Sequence, residues 1–185
     1  MNKMYIFIEA NQCVLRERMH WFVRNFLARY YKVRFQDITI VKGKFGKPYA
    51  FVNKEKADLY FNISHTLGVG IVAFSKDEIG IDIEEIREPD FRIMKRFYHD
   101  SELKYVMRQE DVQNQVEKFY EVWTKKEAFL KYTGLGLAGR LSKLDVLEQK
   151  YIYRKYEWYG KLYAIAVYSE HLGEFSWKFV NSIRD

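Results

Sequence analysis

The sequence of 185 residues has few residues that would cross-link or interrupt a fold: one cysteine, two prolines and ten glycines. The lone Cys13 excludes an internal disulfide, and no CxxC pair is present to hold zinc. So few prolines and glycines argue against linkers and low-complexity segments. No apolar run approaches the length that spans a bilayer, and residues 5–8 are too short a run for a signal peptide. The sequence therefore predicts a cytoplasmic protein that makes no membrane contact.

The residues that are abundant predict a folded, basic protein. Hydrophobic residues make up 48% of the chain and aromatic residues 18%, so there is ample material for one compact core. Lysine and arginine exceed aspartate and glutamate by 31 to 25, which gives a net charge of +6. This surplus favours an anionic partner, which could be a nucleic acid, a phosphorylated cofactor or an acidic protein.

A short strand carries the first candidate site. In residues 79–84 isoleucine alternates with Gly80, Asp82 and Glu84, so the isoleucines point to one face and the carboxylates to the other. The two carboxylates then stand side by side, about 7 Å apart at their Cα atoms. Both could reach one hard cation such as Mg2+. The alternative is an ordinary strand with an acidic, half-solvated outer face.

A helix predicted over residues 116–132 carries the second candidate site, and Gly134 follows as its stop signal. Trp123, Glu127 and Lys131 are spaced four residues apart and so form one stripe on this helix. The simple interpretation is a surface Glu–Lys pair. The functional interpretation is that Glu127 completes a metal site with the two strand carboxylates, while Lys131 meets a phosphate or a proton.

Three motifs in this order and at this separation carry a family resemblance: FNISH at 61–65, GIDIE at 80–84 and WTKKEAFLK at 123–131. The sequence resembles the 4'-phosphopantetheinyl transferase superfamily, in particular its long, pseudo-dimeric, surfactin-type branch. GKPY at 46–49 and the GLGL that follows the helix extend the resemblance, which covers roughly residues 20–140.

The strand and helix patterns predict an α+β protein, with three aromatic-rich, antiparallel strands at 151–158, 162–168 and 175–180. The resemblance implies two similar α/β halves related by pseudo-twofold symmetry, about 1–86 and 87–185. Together they would form a single transferase unit over residues 1–185, working as a monomer.

The resemblance also implies the reaction. The 4'-phosphopantetheine group passes from coenzyme A to a serine of an apo acyl or peptidyl carrier protein, and adenosine 3',5'-bisphosphate is released. Asp82, Glu84 and Glu127 would hold Mg2+, with Mn2+ as the alternative ion. Glu127 would take the serine proton, directly or through a metal-bound water. Lys131 would donate to the pyrophosphate or to the leaving group.

The resemblance implies four residues that bind coenzyme A: Lys47, Ser64, His65 and Lys131. Of these, His65 is expected at the 3'-phosphate. Taken alone, the first three could equally be a loop lysine, a cap and a structural histidine. Lys126 is a further candidate for a phosphate contact, although its position points it off the Glu127 stripe. Other basic side chains lie around the amphipathic helix of residues 16–31, where a solvated face is expected: Arg16, Arg18, Arg24 and Arg29.

Two other functions fit part of the pattern. An acidic triad would also suit a Mg2+-dependent phosphodiesterase or nuclease, and a basic, aromatic-rich chain could be a non-catalytic nucleic-acid-binding protein. However, the aromatic residues follow helix and strand core patterns, and no RNP-like motif is present. We therefore expect a carrier protein, attracted by the positive net charge, rather than a nucleic acid as the partner.

Overall fold

The computed structural model describes residues 2–136 and 141–180 of the chain. The strands are β1 (Asn2–Ile8), β2 (Ile38–Lys42), β3 (Pro48–Val52), β4 (Glu55–Lys56), β5 (Tyr60–Thr66), β6 (Val69–Ser75), β7 (Gly80–Glu85), β8 (Ile152–Trp158), β9 (Lys161–Tyr168) and β10 (Phe175–Val180). The helices are α1 (Gln12–Tyr31), α2 (Met94–Phe97), α3 (Asp100–Met107) and α4 (Val112–Thr133). This mixture confirms the α+β prediction. None of the described helices is both long and apolar enough to cross a membrane.

The chain forms two compact units. One contains Met1–Ile79 together with Ser169–Asp185, and the other contains Gly80–Tyr168. The halves predicted from the sequence, about 1–86 and 87–185, have different bounds from these units. They follow the internal repeat that the resemblance implies. That repeat, its pseudo-twofold symmetry and the single transferase unit stay predictions.

The first unit is built on a four-stranded sheet in the order β10-β1-β6-β5. The pairs β1–β6 and β5–β6 are antiparallel, whereas β10 runs parallel to β1. The prediction that β10 is antiparallel to β8 and β9 was therefore wrong, because β10 joins the sheet of the other unit. An aromatic strand pattern indicates a pleated, half-buried surface but does not specify which neighbour pairs with it. A separate sheet has the order β2-β3-β4.

Helix α1 packs its apolar stripe on the β10-β1-β6-β5 sheet. The Asn11 side chain caps its first turn by accepting hydrogen bonds from the backbone of Cys13 and Val14. Its last turn ends at Lys32, which adopts the left-handed conformation that commonly terminates helices. The buried helix residues meet the aromatic residues of the strands in one core: Leu15, Met19, Phe22, Val23 and Leu27 against Tyr5, Phe7, Phe61 and Phe74.

The second unit places α4 on an antiparallel sheet in the order β7-β9-β8. Strand β7 lies at one edge of this sheet, yet its residues Gly80–Ile83 are all buried. At Gly80 the helix backbone comes so close that an added Cβ would lie 1.9 Å from the Ala128 carbonyl oxygen. The alternative of an acidic, half-solvated strand face is therefore wrong at Asp82, which α4 covers, whereas Glu84 is half-buried.

A fully buried ion pair ties α4 to the rest of the second unit. Lys126 Nζ lies 2.7 Å from Glu102 Oε2, and both side chains have 0% exposure. The same ammonium donates to the carbonyl oxygens of Leu141 and Leu144, at 2.7 and 2.6 Å. The Glu102 carboxylate also accepts from the backbone N–H of Val146 at 2.9 Å. The pair therefore connects α3, α4 and the segment that leads to β8.

We predict that Lys126→Met destabilises the protein by about 3–5 kcal/mol, because it leaves the buried Glu102 carboxylate without its cation. Lys118→Met is the matched control on the same helix. Lys118 pairs with Glu121 at 2.8 Å with its side chain 34% exposed, so the control should cost about 0–1 kcal/mol. Urea denaturation followed by circular dichroism measures both values. Equal losses in the two variants would contradict the structural role of Lys126.

Candidate functional site

Strand β7 and helix α4 bring four of the predicted site residues together in the second unit. Asp82 is 3% exposed, and Lys131 Nζ lies 2.7 Å from its Oδ1 atom. Two residues along β7, the half-buried Glu84 receives a hydrogen bond from the Trp123 side chain. Glu127 lies one turn before Lys131 on α4. The Trp123–Glu127–Lys131 stripe thus faces the carboxylates of β7.

The two site glutamates, Glu84 and Glu127, hold their protons more tightly than carboxylates in water. Burial, reinforced by the nearby Asp82 charge, raises the pKa of Glu84 to about 7, although Lys131 opposes the rise. Burial and Asp82 likewise raise the pKa of Glu127 to about 7, again against the effect of Lys131. These shifts show that the carboxylates are close enough to repel one another when ionised. Glu84 and Glu127 can therefore exchange protons near neutral pH.

The donor set matches a hard divalent cation in kind, because carboxylate oxygens are the ligands that Mg2+ and similar ions prefer. Burial is the main cause of the raised pKa values of Glu84 and Glu127, and repulsion by Asp82 adds to it. A divalent charge would relieve that repulsion. As the side chains are placed, no group of three or more His, Cys, Asp or Glu residues is gathered into a metal site within residues 2–136 and 141–180. The Lys131 ammonium is instead the cation in contact with Asp82.

A shallow cavity of about 380 Å3 opens beside these carboxylates in the second unit. It is lined by Glu84 and Trp123 of the site and by residues of the loop after β7 and of α4: Arg87, Pro89, Asp90, Phe119 and Tyr120. A volume of this size can admit a small molecule or an extended chain. The cavity therefore gives Glu84 and Trp123 access to a ligand.

The other predicted residues lie in the first unit. Lys47 is 8% exposed, and its Nζ atom lies 2.7 Å from Glu78 Oε1. Burial lowers the pKa of Lys47, although the Glu78 carboxylate opposes that effect. Ser64 and His65 are neighbours on β5, so their side chains point to opposite faces of the sheet. Ser64 is buried, whereas His65 reaches helix α1.

Arg16 is the residue that sequence reasoning missed. Its Nε–H donates to His65 Nε2 at 3.1 Å, across 49 positions of the chain. The helical pattern of α1 indicated only that Arg16 lies off the apolar stripe, which is equally true of a solvated arginine. A guanidinium beside an imidazole makes an arrangement suited to an anion, since Arg presents several donors in a fixed geometry.

Lys126 is not a phosphate contact in this structure. Its ammonium is buried against Glu102 and two carbonyl oxygens, on the side of α4 away from the Glu127 stripe. Adjacent residues on a helix point about 100° apart, so neighbours in the WTKKEAFLK motif serve different surroundings. Lys126 therefore has a structural role, and Lys131 is the lysine of this motif at the carboxylates.

Comparison with known proteins places these residues in a family context. The family model described as the 4'-phosphopantetheinyl transferase superfamily matches residues 78–180, which contain β7 and α4. The 4'-phosphopantetheinyl transferase gsp of Aneurinibacillus migulanus is 36% identical over 116 residues, 62% of this chain and 46% of the relative. The 4'-phosphopantetheinyl transferase Sfp of Bacillus subtilis (strain 168) is 35% identical over 124 residues, 67% of this chain and 54% of the relative.

A more distant relative is the human L-aminoadipate-semialdehyde dehydrogenase-phosphopantetheinyl transferase, which is 29% identical over 135 residues, 66% of this chain and 43% of the relative. The chain spans about half the length of these curated relatives. None of the three is named as a nuclease or a nucleic-acid-binding protein, so the two alternatives from the sequence gain no support. The likeness to Sfp and gsp confirms the predicted resemblance to the surfactin-type branch. Since the family model matches more than half of its residues, the chain belongs to the 4'-phosphopantetheinyl transferase superfamily.

Proposed function

We propose that this protein is a monomeric, cytoplasmic 4'-phosphopantetheinyl transferase of the holo-[acyl-carrier-protein] synthase type. It transfers the 4'-phosphopantetheine group of coenzyme A to a serine hydroxyl of an apo acyl or peptidyl carrier protein and releases adenosine 3',5'-bisphosphate. The observation that carries the proposal is the convergence of Asp82, Glu84, Glu127 and Lys131 within the region that the family model matches.

The residues that would hold a divalent ion are Asp82, Glu84 and Glu127. We propose that this ion is Mg2+, with Mn2+ as a substitute. When bound, such an ion supplies positive charge that offsets the negative charge building on the attacked phosphorus and the leaving oxygen. Lys131 contacts Asp82 at 2.7 Å. The same ammonium is the proposed donor to the pyrophosphate of coenzyme A.

Glu127 is the proposed general base. In the absence of the ion, burial and the Asp82 charge raise its pKa to about 7, so its carboxylate can gain and lose a proton near neutral pH. The carrier serine must lose its hydroxyl proton as its oxygen attacks the phosphorus, and Glu127 would take it. Lys131 would then neutralise the departing adenosine bisphosphate, since an ammonium is a compact donor to phosphate oxygens.

We assign coenzyme A contacts to Lys47, Ser64 and His65, and we add Arg16 to them. The Arg16–His65 hydrogen bond, 3.1 Å long, puts a permanent positive charge beside the imidazole. This supports the two side chains as joint ligands of the 3'-phosphate. The Glu78 carboxylate pairs with the Lys47 ammonium, with Oε1 2.7 Å from Nζ. A phosphate of coenzyme A would compete with Glu78 for this ammonium. The net charge of +6 supports a steered encounter with an acidic carrier protein.

We predict that Asp82→Asn and Glu127→Gln each lower phosphopantetheinyl transfer by at least about 100-fold, because each removes an ion ligand and Glu127→Gln also removes the base. The assay is the intact mass of several apo acyl and peptidyl carrier proteins after incubation with coenzyme A and Mg2+, with EDTA added in a parallel series. Glu121→Gln is the control: it is a carboxylate of α4 held by Lys118 and Lys125, away from the site.

The expected pattern is a mass gain of one phosphopantetheine that disappears with EDTA and in both site variants but persists in the control. Near-normal turnover of Asp82→Asn and Glu127→Gln would refute the site assignment. Cleavage of nucleic acid without a mass gain on any carrier would refute the transfer reaction itself.

We predict that the metal-free protein loses stability as the pH rises from about 4.5 to about 7. The unfolded glutamates ionise near pH 4.5, whereas Glu84 and Glu127 keep their protons in the folded state until a pH of about 7. Between these values the folded state binds more protons, so deprotonation favours unfolding. Chemical denaturation in EDTA across this pH range measures the effect.

Glu127→Gln should flatten the decline, because one of the responsible carboxylates is gone. Glu121→Gln is again the comparison, since ion pairing lowers the pKa of Glu121 and its removal leaves the decline in place. A decline as steep in Glu127→Gln as in the parent protein would show that Glu127 ionises normally.

We predict that Arg16→Gln raises the KM for coenzyme A about tenfold and leaves kcat within about twofold, because a charge-assisted hydrogen bond to phosphate is lost away from the reacting atoms. The decisive comparison uses 3'-dephospho-coenzyme A. With this substrate the parent protein and Arg16→Gln should have equal KM values. Arg34→Gln, which removes an exposed arginine paired with Asp37, is the control. An equal KM increase with both substrates would exclude the 3'-phosphate contact.

A further inference from the structure

A second cavity, of about 300 Å3, lies in the first unit between strand β1 and helix α1. Lys3 and Tyr5 of the strand line one side, and the other lining residues all belong to the helix: Phe22, Asn25, Phe26, Arg29 and Tyr30. The cavity contains none of Lys47, Ser64 and His65 among its lining residues. Its volume is at the lower end of the range for small-molecule sites.

The inner wall of this cavity is an aromatic cluster. The Phe26 ring stacks on Phe74 with centroids 3.9 Å apart and planes at 20°. Tyr5 and Phe22 have their ring centroids 4.7 Å apart, and Tyr30 lies nearly parallel to Phe26 at 6.4 Å. Aromatic clusters of this kind present broad apolar surfaces to a planar ligand. The wall therefore favours a flat, unsaturated ring over an extended polar chain.

The polar lining of the cavity is cationic. Lys3 Nζ lies 5.4 Å from the Phe26 ring centroid, and the Arg29 charge acts on the Tyr5 hydroxyl, where it opposes the pKa rise caused by burial. None of the described residues that line the cavity is a carboxylate. Lys178 of β10 is the register partner of Tyr5 and is exposed, so it adds a third cation on the same face of the sheet.

Neither Lys3 nor Arg29 forms an ion pair with a carboxylate of residues 2–136 or 141–180. By contrast, the first unit's Arg18, Arg34, Lys47 and Lys76 all do. Lys3 and Arg29 therefore create a local positive field beside the flat apolar surface of the aromatic wall. This combination complements a ligand that has negative charge at one end and a planar ring at the other.

We propose that the cavity binds a small aromatic anion, a planar ring that carries a carboxylate or a phosphate. The ring packs against the aromatic wall of Phe22, Phe26 and Tyr30, and the anionic group is held by Arg29 and Lys3. Arg29 offers a planar fork of donors that matches either anion. This site is separate from the residues proposed for the transfer reaction and stands whether or not that reaction is established.

The test uses three probes with the same ring: 2-naphthoate, 2-naphthyl phosphate and the neutral 2-naphthylmethanol. Each is titrated into the full chain, with affinity and location read from amide chemical-shift changes in two-dimensional NMR. We expect both anions to bind at least about tenfold more tightly than the alcohol and to shift amides of β1 and α1. Comparing the two anions shows whether a carboxylate or a phosphate is preferred.

Arg29→Gln should weaken anion binding about tenfold, which corresponds to one charge-assisted hydrogen bond, and leave binding of the alcohol unchanged. Asn25→Trp should abolish binding of all three probes, because the larger side chain fills the cavity while the net charge stays the same. Lys150→Gln, an exposed lysine of the other unit, is the matched charge control and should bind like the parent. Melting curves establish that each variant is folded.

Three results would overturn the proposal. One is equal affinity for the anions and the alcohol. Another is an equal loss of binding in Arg29→Gln and Lys150→Gln, which would indicate a general charge effect. The third is a set of shifted amides on β5 around Ser64 and His65 instead of on β1 and α1, which would place the anion at the residues proposed for coenzyme A.

Discussion

The second unit depends on how closely helix α4 approaches strand β7. At Gly80 the Ala128 carbonyl and the Tyr132 backbone occupy the space that any side chain would need, so only glycine permits this contact. The close approach has two effects. It buries the face of β7 that carries Gly80 and Asp82, and it brings the Trp123–Glu127–Lys131 stripe onto Asp82 and Glu84. A wider separation would leave these groups solvated, and their pKa values would return toward those of free carboxylates.

Buried charges need partners of opposite charge. Helix α4 supplies a lysine as such a partner on each of two sides. On one side Lys126 is paired with Glu102 and hydrogen-bonded to two carbonyl oxygens, with no exposure at all. On the other side Lys131 balances Asp82 only in part, since two further carboxylates lie nearby with raised pKa values. The first arrangement is complete and holds the structure together. In the second arrangement the carboxylates outnumber the lysine. Such an excess of acidic groups is expected of a site that binds a cation and exchanges protons.

Much of this could be predicted from local patterns. The 3.6-residue spacing identified α1 and α4, and strict alternation identified β7 with its carboxylates on one face. The order of three motifs identified the family, which the comparisons confirmed. Long-range partners could not be predicted, because they depend on contacts between residues far apart in the chain. Strand β10 pairs in parallel with β1, and Arg16 of α1 contacts His65 of β5. Neither relation leaves a periodic signal in the sequence.

The sequence by itself determined the local elements, the family and the chemistry of the candidate groups, because each follows from residue type and short-range spacing. Tertiary structure alone decided which of those groups share an environment. It buried Asp82 and raised the pKa of Glu84 and Glu127, since desolvation depends on what packs against a carboxylate and not on its neighbours in sequence. It also separated the adjacent Lys126 and Glu127 into a structural and a candidate catalytic residue, because successive helix positions face different surroundings.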